Sequence, residues 1–212
     1  VTTPRRGLLF HFTHVDNLRS VIDRGLRSDN AVRADGSLAV EIGEDRIKAQ
    51  RRGRNIPIGP GGVVADYVPF YFAARSPMLY TISRGNVRRY QGGQDPLVYL
   101  VTAAPRLQAA GCRFVFTDRN AALTHAAYAD DPADLGQLVD WPLMEARMWN
   151  NTDTEPDRME RRMAEFLVYG SVPFAAVAAV GVRSEEMERA VDEVLRTLDA
   201  PPMVVVRPDW YF

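Results

Sequence analysis

The chain has 212 residues, 46% of them apolar, enough to bury one sizeable core, and its 26 basic and 27 acidic residues leave a formal charge of -1. No whole-molecule field therefore attracts nucleic acid, so any such binding needs a local patch. A single cysteine, Cys112, excludes an intramolecular disulfide and a cysteine-rich zinc site, and the three histidines are too few for a histidine metal centre; neither a signal peptide nor a bilayer-spanning apolar run is visible. One domain over residues 1–212, monomeric and in a reducing cytoplasm, is the expectation.

In chain order, GLLFHFTHVDNLRSVIDRGL reads as a strand turning into a short helix. Leu8, Phe10 and Phe12 alternate with Leu9, His11 and Thr13 on the opposite face; Asp16 is placed to cap the helix and Gly25 to end it. Over residues 28–62 Gly, Pro and Asn recur and the basic residues gather in RIKAQRRGR. Only a short helix around Asp45–Arg52 is expected there, in a stretch long for a passive loop. VPFYFAARSPMLY and PLVYLVTAA read as strands, RFVFTD as a third that ends at a helix cap in Asp118, and NAALTHAAY as a short helix. Residues 130–157 are mixed, with Trp141 and Trp149 in polar surroundings, and lead through PDRMERRM into the strand AEFLVYG. Met187, Val191, Val194, Leu195 and Leu198 then recur at helical spacing behind a Ser184 cap, and MVVVRP supplies a last strand. Strands and helices intermix without regular βα alternation, which points to an α+β domain.

Several residues have both a chemical and a bland reading. His11 opposes Phe10 and Phe12 and so faces another space, a pocket or simply a hydrogen-bonded half-buried site; His14, just past the strand, caps or braces the turn. Tyr71 opposes Phe70 and Phe72, where its ring can stack on a flat ligand or pack in a core. Glu165 starts a strand on the face of Leu167 and Tyr169. A covered carboxylate there needs a task or a partner; the bland reading is a surface glutamate at a strand end, paired with Arg161 or Arg162. Arg46, Lys48, Arg51, Arg52 and Arg54 place five cations in nine residues without an acid, suited to phosphate or to a solvated face, and Arg158, Arg161 and Arg162 make a weaker cluster. Walker, GxGxxG, GxSxG and HExxH patterns are absent, and Cys112 at the entry to an apolar strand reads as structural.

Taken together, the order FHFTH, IKAQRR, DYVPFYFAARSPMLY, FTDRNAA and MAEFLV resembles the DarT-type DNA ADP-ribosyltransferase toxins of bacterial toxin–antitoxin systems, from about Leu8 to about Val182. The resemblance implies the ADP-ribosyltransferase fold, with central split β-sheets and flanking helices. It also implies a metal-free transfer of ADP-ribose from NAD, as co-substrate, to thymidine or another base of single-stranded DNA, and a macrodomain-type antitoxin that removes the mark. Carried over by residue, His11, Phe12 and Thr13 hold NAD, Tyr71 packs on the nicotinamide, and Glu165 is catalytic. Arg51 is the active-site arginine, with Arg52 and Arg54 close enough to leave that assignment open. Arg52, Arg54, Arg75, His125, Arg158 and Arg161 are implied DNA contacts, with PDRMERRM in the place of the substrate-recognition loop. A ribosyltransferase acting on RNA, protein or a small guanidino compound shares every NAD residue and stays open. So does a non-catalytic strand-binding module, which gives Glu165 no purpose.

Overall fold

The computed structural model describes residues 7–212. The chain runs β1 (Leu8–His14), α1 (Leu18–Arg24), β2 (Leu26–Arg27), α2 (Asp29–Asp35), α3 (Asp45–Arg52), β3 (Tyr67–Tyr71), α4 (Pro77–Ser83), β4 (Leu97–Ala103), α5 (Ala104–Ala109), β5 (Phe114–Thr117) and β6 (Tyr128–Ala129). It continues through α6 (Leu135–Leu138), α7 (Trp141–Glu145), α8 (Arg158–Arg161), β7 (Glu165–Tyr169), β8 (Ser171–Val172), β9 (Ala179–Val182), α9 (Glu185–Leu195) and β10 (Met203–Val206). Eight strands join in the order β10-β9-β4-β1-β3-β7-β5-β6, with β10 parallel to β9 and the other neighbours antiparallel.

The expected split is visible in the register. β1 pairs with β4 from Leu8↔Ala103 to His14↔Leu97, and β3 with β7 from Tyr67↔Tyr169 to Tyr71↔Glu165, but β1 meets β3 only at Phe10↔Tyr71. Pro69 supplies a physical reason. It has no N–H to extend a ladder toward β1, and its carbonyl accepts from a side chain, His11 Nδ1, at 2.7 Å. The two halves of the sheet therefore part beside Phe10, and a cavity forms in the opening.

Apolar residues cover both faces. Leu9, Phe70, Phe166, Val191 and Leu195 belong to one cluster, with α9 amphipathic as expected and Ser184 Oγ accepting from Met187 N at 3.3 Å; Phe10, Phe12, Tyr99, Trp210 and Tyr211 belong to another. β2 and β8 form a separate ribbon whose entry requires Gly25. Its φ is +79°, and a Cβ there would lie 2.8 Å from the Val172 carbonyl oxygen. Among the described residues no helix is long and apolar enough to cross a membrane.

Four expected elements differ. Asp16 caps nothing: the turn into α1 is capped by His14, whose Nδ1 accepts from Asp16 N at 3.2 Å. The glycine-rich stretch also contains α2, with Ser28 at its N-cap and Gly36 ending it in the left-handed conformation. SPMLY is the start of α4 rather than strand, because Ser76 Oγ accepts from Leu79 N and Pro77 occupies the first helical turn. NAALTHAAY forms turns instead of a helix; the Asp118 carboxylate accepts from Ala127 N at 2.9 Å and closes the loop between β5 and β6.

Candidate active site at the seam

The cavity, of about 240 Å³, is lined by the consecutive residues His11, Phe12 and Thr13 of β1, by Tyr71, and by Arg51 and Glu165. A flat, fully paired strand shows alternate residues to one side, so three in a row reflect the parting of β1 from β3. The sequence assigned those six residues to NAD and catalysis, and the fold brings all six to one cavity.

Tyr71 stands opposite Phe10 on one side and Glu165 on the other, which sets Glu165 one strand away from the seam. The Glu165 side chain is 2% exposed. Its Oε1 accepts from Arg51 Nη1 at 2.7 Å and its Oε2 from the Ala121 backbone N–H at 2.9 Å. This replaces the expected pairing with Arg161 or Arg162. Burial alone would lower the Arg51 pKa, but the Glu165 carboxylate outweighs it and raises the pKa above the usual arginine value. Arg51 Nη2 is buried without a hydrogen-bond partner, so a donor remains for a ligand.

Burial pushes the Tyr71 phenol far up, and Glu165 adds to the shift, so the ring stays neutral. It lies nearly parallel to Phe12, 14° between planes and 6.4 Å between centroids. His11 is also neutral: burial lowers its pKa to about 4, against the hydrogen bond to Pro69. Since a carbonyl only accepts, Nδ1 carries the proton and Nε2 is an acceptor. Thr13 Oγ1 accepts from Asn17 Nδ2 at 3.0 Å, which leaves its own hydrogen for another partner.

Asn17 was not singled out from sequence. It is 2% exposed and does not cap α1; instead its Nδ2 also donates to the Val40 carbonyl at 2.9 Å, and its Oδ1 accepts from Ala39 N and Val40 N at 3.0 and 2.9 Å. It thus ties the loop after α2, which forms part of the cavity wall, to β1. An asparagine ahead of a helix reads locally as a cap, so this long-range role has no local signal. The Ala121 N–H was missed for a simpler reason: a backbone donor leaves no mark on residue type.

The basic run is less available than its composition suggests. Lys48 is held by both Asp29 and Glu41, Arg52 by Asp29 at 2.8 Å, and Arg54 Nη2 donates to the Leu123 carbonyl at 2.9 Å. The other predicted DNA contacts lie outside the cavity lining. His125 Nε2 is 3.0 Å from Glu160; Arg158 pairs with Glu155 at 2.6 Å; Arg161 bonds Asp140, Glu155 and Asp157, bracing α8. Arg75 has its guanidinium over the Phe212 ring. Cys112 is half-buried, with its thiol pKa raised by burial, unlike an activated nucleophile. Among the described residues no cluster of three or more His, Cys, Asp or Glu side chains is arranged to hold a metal ion.

Comparison with known proteins shows the family and the fold. The sequence model of the family described as "ssDNA thymidine ADP-ribosyltransferase, DarT" matches residues 10–212. A DNA ADP-ribosyl transferase of Thermus sp. (strain 2.9) is 38% identical over 215 residues, covering 100% of this chain and 99% of that protein. The structure of Thermus sp. 2.9 DarT in complex with ADP-ribosylated ssDNA superposes with a TM-score of 0.91 at 37% identity, over 100% of this chain and 99% of that one; the complex with NAD+ gives 0.86, with full coverage of both. A DNA ADP-ribosyl transferase–DNA ADP-ribosyl glycohydrolase fusion protein of Thermosipho africanus is 22% identical, and the match covers 99% of this chain and 50% of the fusion.

Proposed function

This chain belongs to the DarT family of single-stranded DNA thymidine ADP-ribosyltransferases, and on that premise we propose that the seam of its split sheet is where NAD+ is cleaved and ADP-ribose passes to a thymidine base. The observation that carries this reading is the buried Arg51–Glu165 pair, which retains an unpartnered Arg51 donor and sits beside the Tyr71 ring.

Each group has a task that matches its surroundings. His11 Nε2 and the Thr13 hydroxyl hold NAD+ from β1, while Tyr71, backed by Phe12, offers a neutral flat face to the nicotinamide. Breaking the nicotinamide–ribose bond builds positive charge on the sugar. A carboxylate fixed at the ribose binds more strongly as that charge grows, and Glu165 is fixed by two donors, so it needs no rearrangement at the moment of reaction. The acceptor ring nitrogen of thymine gives its proton to solvent water as its electron pair bonds the ribose carbon, while the pair of the broken ribose–nicotinamide bond leaves with neutral nicotinamide. Arg51 keeps its charge, so it stabilises the developing thymine anion electrostatically and does not take the proton. A duplex hides that nitrogen in a base pair, which accounts for a single-strand requirement. The fusion of transferase with glycohydrolase in the Thermosipho relative supports a macrodomain-type antitoxin partner that removes the mark.

The test is mass spectrometry of short single strands of each base composition, incubated with NAD+ and either this chain or Glu165→Gln. An ADP-ribose adduct confined to thymidine-containing strands and lost in the variant is expected. Adducts on RNA or protein alone would move the chain to another acceptor class, and tight strand binding with no adduct would make it a binding module.

A further inference from the structure

Glu165 is held from two sides, by Arg51 from α3 and by the Ala121 N–H from the loop between β5 and β6. A backbone donor is only as well placed as the turn that carries it, and this turn is gripped from outside. Three consecutive carbonyls each accept from a side chain: Ala121 from the Tyr128 hydroxyl at 2.8 Å, Ala122 from Gln50 Nε2 at 3.4 Å and Leu123 from Arg54 Nη2 at 2.9 Å. A loop that only connected two strands would leave such carbonyls to water. Of the three amides, two are spent inside the turn, Ala122 N on Asn120 Oδ1 at 2.9 Å and Leu123 N on the Asn120 carbonyl at 3.0 Å; the third, on Ala121, goes to Glu165.

Tyr128 acts on the residue that donates, fixing the Ala121 carbonyl while Glu165 takes the Ala121 N–H. It stands on β6 directly across from Thr117 of β5. Thr117 is fully buried, and its hydroxyl accepts from Glu165 N at 3.1 Å while donating to the Arg119 carbonyl at 2.6 Å. The pairing of β5 with β7 ends at Phe116↔Phe166, so this hydroxyl takes the place of a strand partner for the Glu165 backbone. Two cross-strand neighbours thus hold Glu165, Thr117 at its backbone and Tyr128, through Ala121, at its carboxylate. Neither lines the cavity, and burial raises the Tyr128 pKa, so its phenol keeps the proton it donates.

We propose that Tyr128, together with Thr117, is a positioning residue for transfer: the pair sets the Glu165 carboxylate against the ribose by way of the loop between β5 and β6. This rests on the reading of Glu165 as the group that stabilises the ribose charge, and adds what keeps that group in place. A misplacement of about an ångström at a reacting centre costs roughly 10²-fold in rate, so a hydroxyl that never meets a ligand still acts on the chemical step.

The test is transfer from NAD+ to an oligonucleotide with one thymidine, by the full chain and its variants, with circular dichroism as the check of fold. Tyr128→Phe removes one oxygen and lowers kcat by roughly 10- to 100-fold, while the KM for NAD+ and for the strand stay within about twofold. Thr117→Val behaves alike, and Thr117→Ser, which keeps the hydroxyl, retains transfer. In single-turnover mixtures of the Glu165→Gln chain, adding Tyr128→Phe costs less than about twofold, because the charge it positions is gone. Unchanged kcat in Tyr128→Phe, a loss confined to KM, or a loss of the same size in both backgrounds overturns the positioning role while transfer to thymidine stands. An unsubstituted chain that modifies no strand overturns the reading of the seam, and the positioning role with it.

Discussion

The two walls of the cavity are built on different principles. The wall of β1, β3 and β7 is backbone ladder and apolar core: Tyr71 is fixed by pairing with Phe10 and Glu165, and His11 by one bond to Pro69. The wall of residues 28–54, like the rim of residues 118–162 outside the cavity lining, is held by side chains: Asn17 on the loop after α2, Lys48 between Asp29 and Glu41, Arg161 among three carboxylates. Ladder and core fix position to fractions of an ångström, as bond-breaking chemistry needs, whereas ion pairs at a rim can exchange for a ligand's phosphates. Arg51 joins the two, leaving the last turn of α3 to meet Glu165 on β7.

That contrast breaks down if loss of the Glu165 charge alters only binding while freeing the loop after α2 alters only chemistry. The largest expected effect is in Glu165→Gln, which keeps the shape and a hydrogen bond to Arg51 but removes the charge. Transfer falls by roughly 10² to 10⁴-fold with circular dichroism unchanged, read by adduct formation in single-turnover mixtures. Arg51→Lys keeps the charge but loses the fork that reaches both Glu165 and a ligand, and kcat falls by roughly 10² to 10³-fold; a lysine variant with normal kcat would show that position along the seam is unimportant. Asn17→Ala frees the loop at residues 39–40 without touching the ladder. It raises the NAD+ KM by about tenfold more than it changes kcat, and costs about 1–3 kcal/mol in denaturant unfolding for the buried groups it leaves unpaired.

The smallest effect on transfer at neutral pH comes from His11, whose change is read in stability. Its folded pKa of about 4 lies below the usual 6.5, so between those values the unfolded chain binds a proton that the folded chain refuses. The stability this contributes is complete above pH 6.5 and declines as pH falls toward 4, by up to about 3 kcal/mol. His11→Gln flattens that limb of the stability curve; an unchanged limb would place the acid sensitivity in other groups.

Legibility in the sequence follows the same division. Alternation in LLFHFTH and EFLVYG placed β1 and β7, and helical spacing placed α9, because burial on a strand or helix face repeats with a fixed period. Pro69 stood in plain sight inside β3, but only the register shows that its missing N–H faces the seam. The rim follows no period. NAALTHAAY has helix-favouring alanines, yet Asp118 closes it as a loop, and Ser76 and Pro77 mark the start of a helix within a stretch that reads as strand. The five-cation run looked open because its counter-charges, Asp29, Glu41 and Glu165, lie elsewhere in the chain. His11, Tyr71, Arg51 and Glu165 were legible through family resemblance together with residue chemistry, whereas Asn17 and the Ala121 amide required coordinates.

The most direct test of the seam as the site of cleavage is a crystal structure of the Glu165→Gln chain soaked with NAD+. The account predicts the nicotinamide against the Tyr71 ring, its ribose within hydrogen-bond reach of position 165, and the Arg51 Nη2 donor engaged by the ligand or by the acceptor side of the cavity. NAD+ bound away from the seam, or at the seam with its nicotinamide end pointing away from position 165, would contradict it.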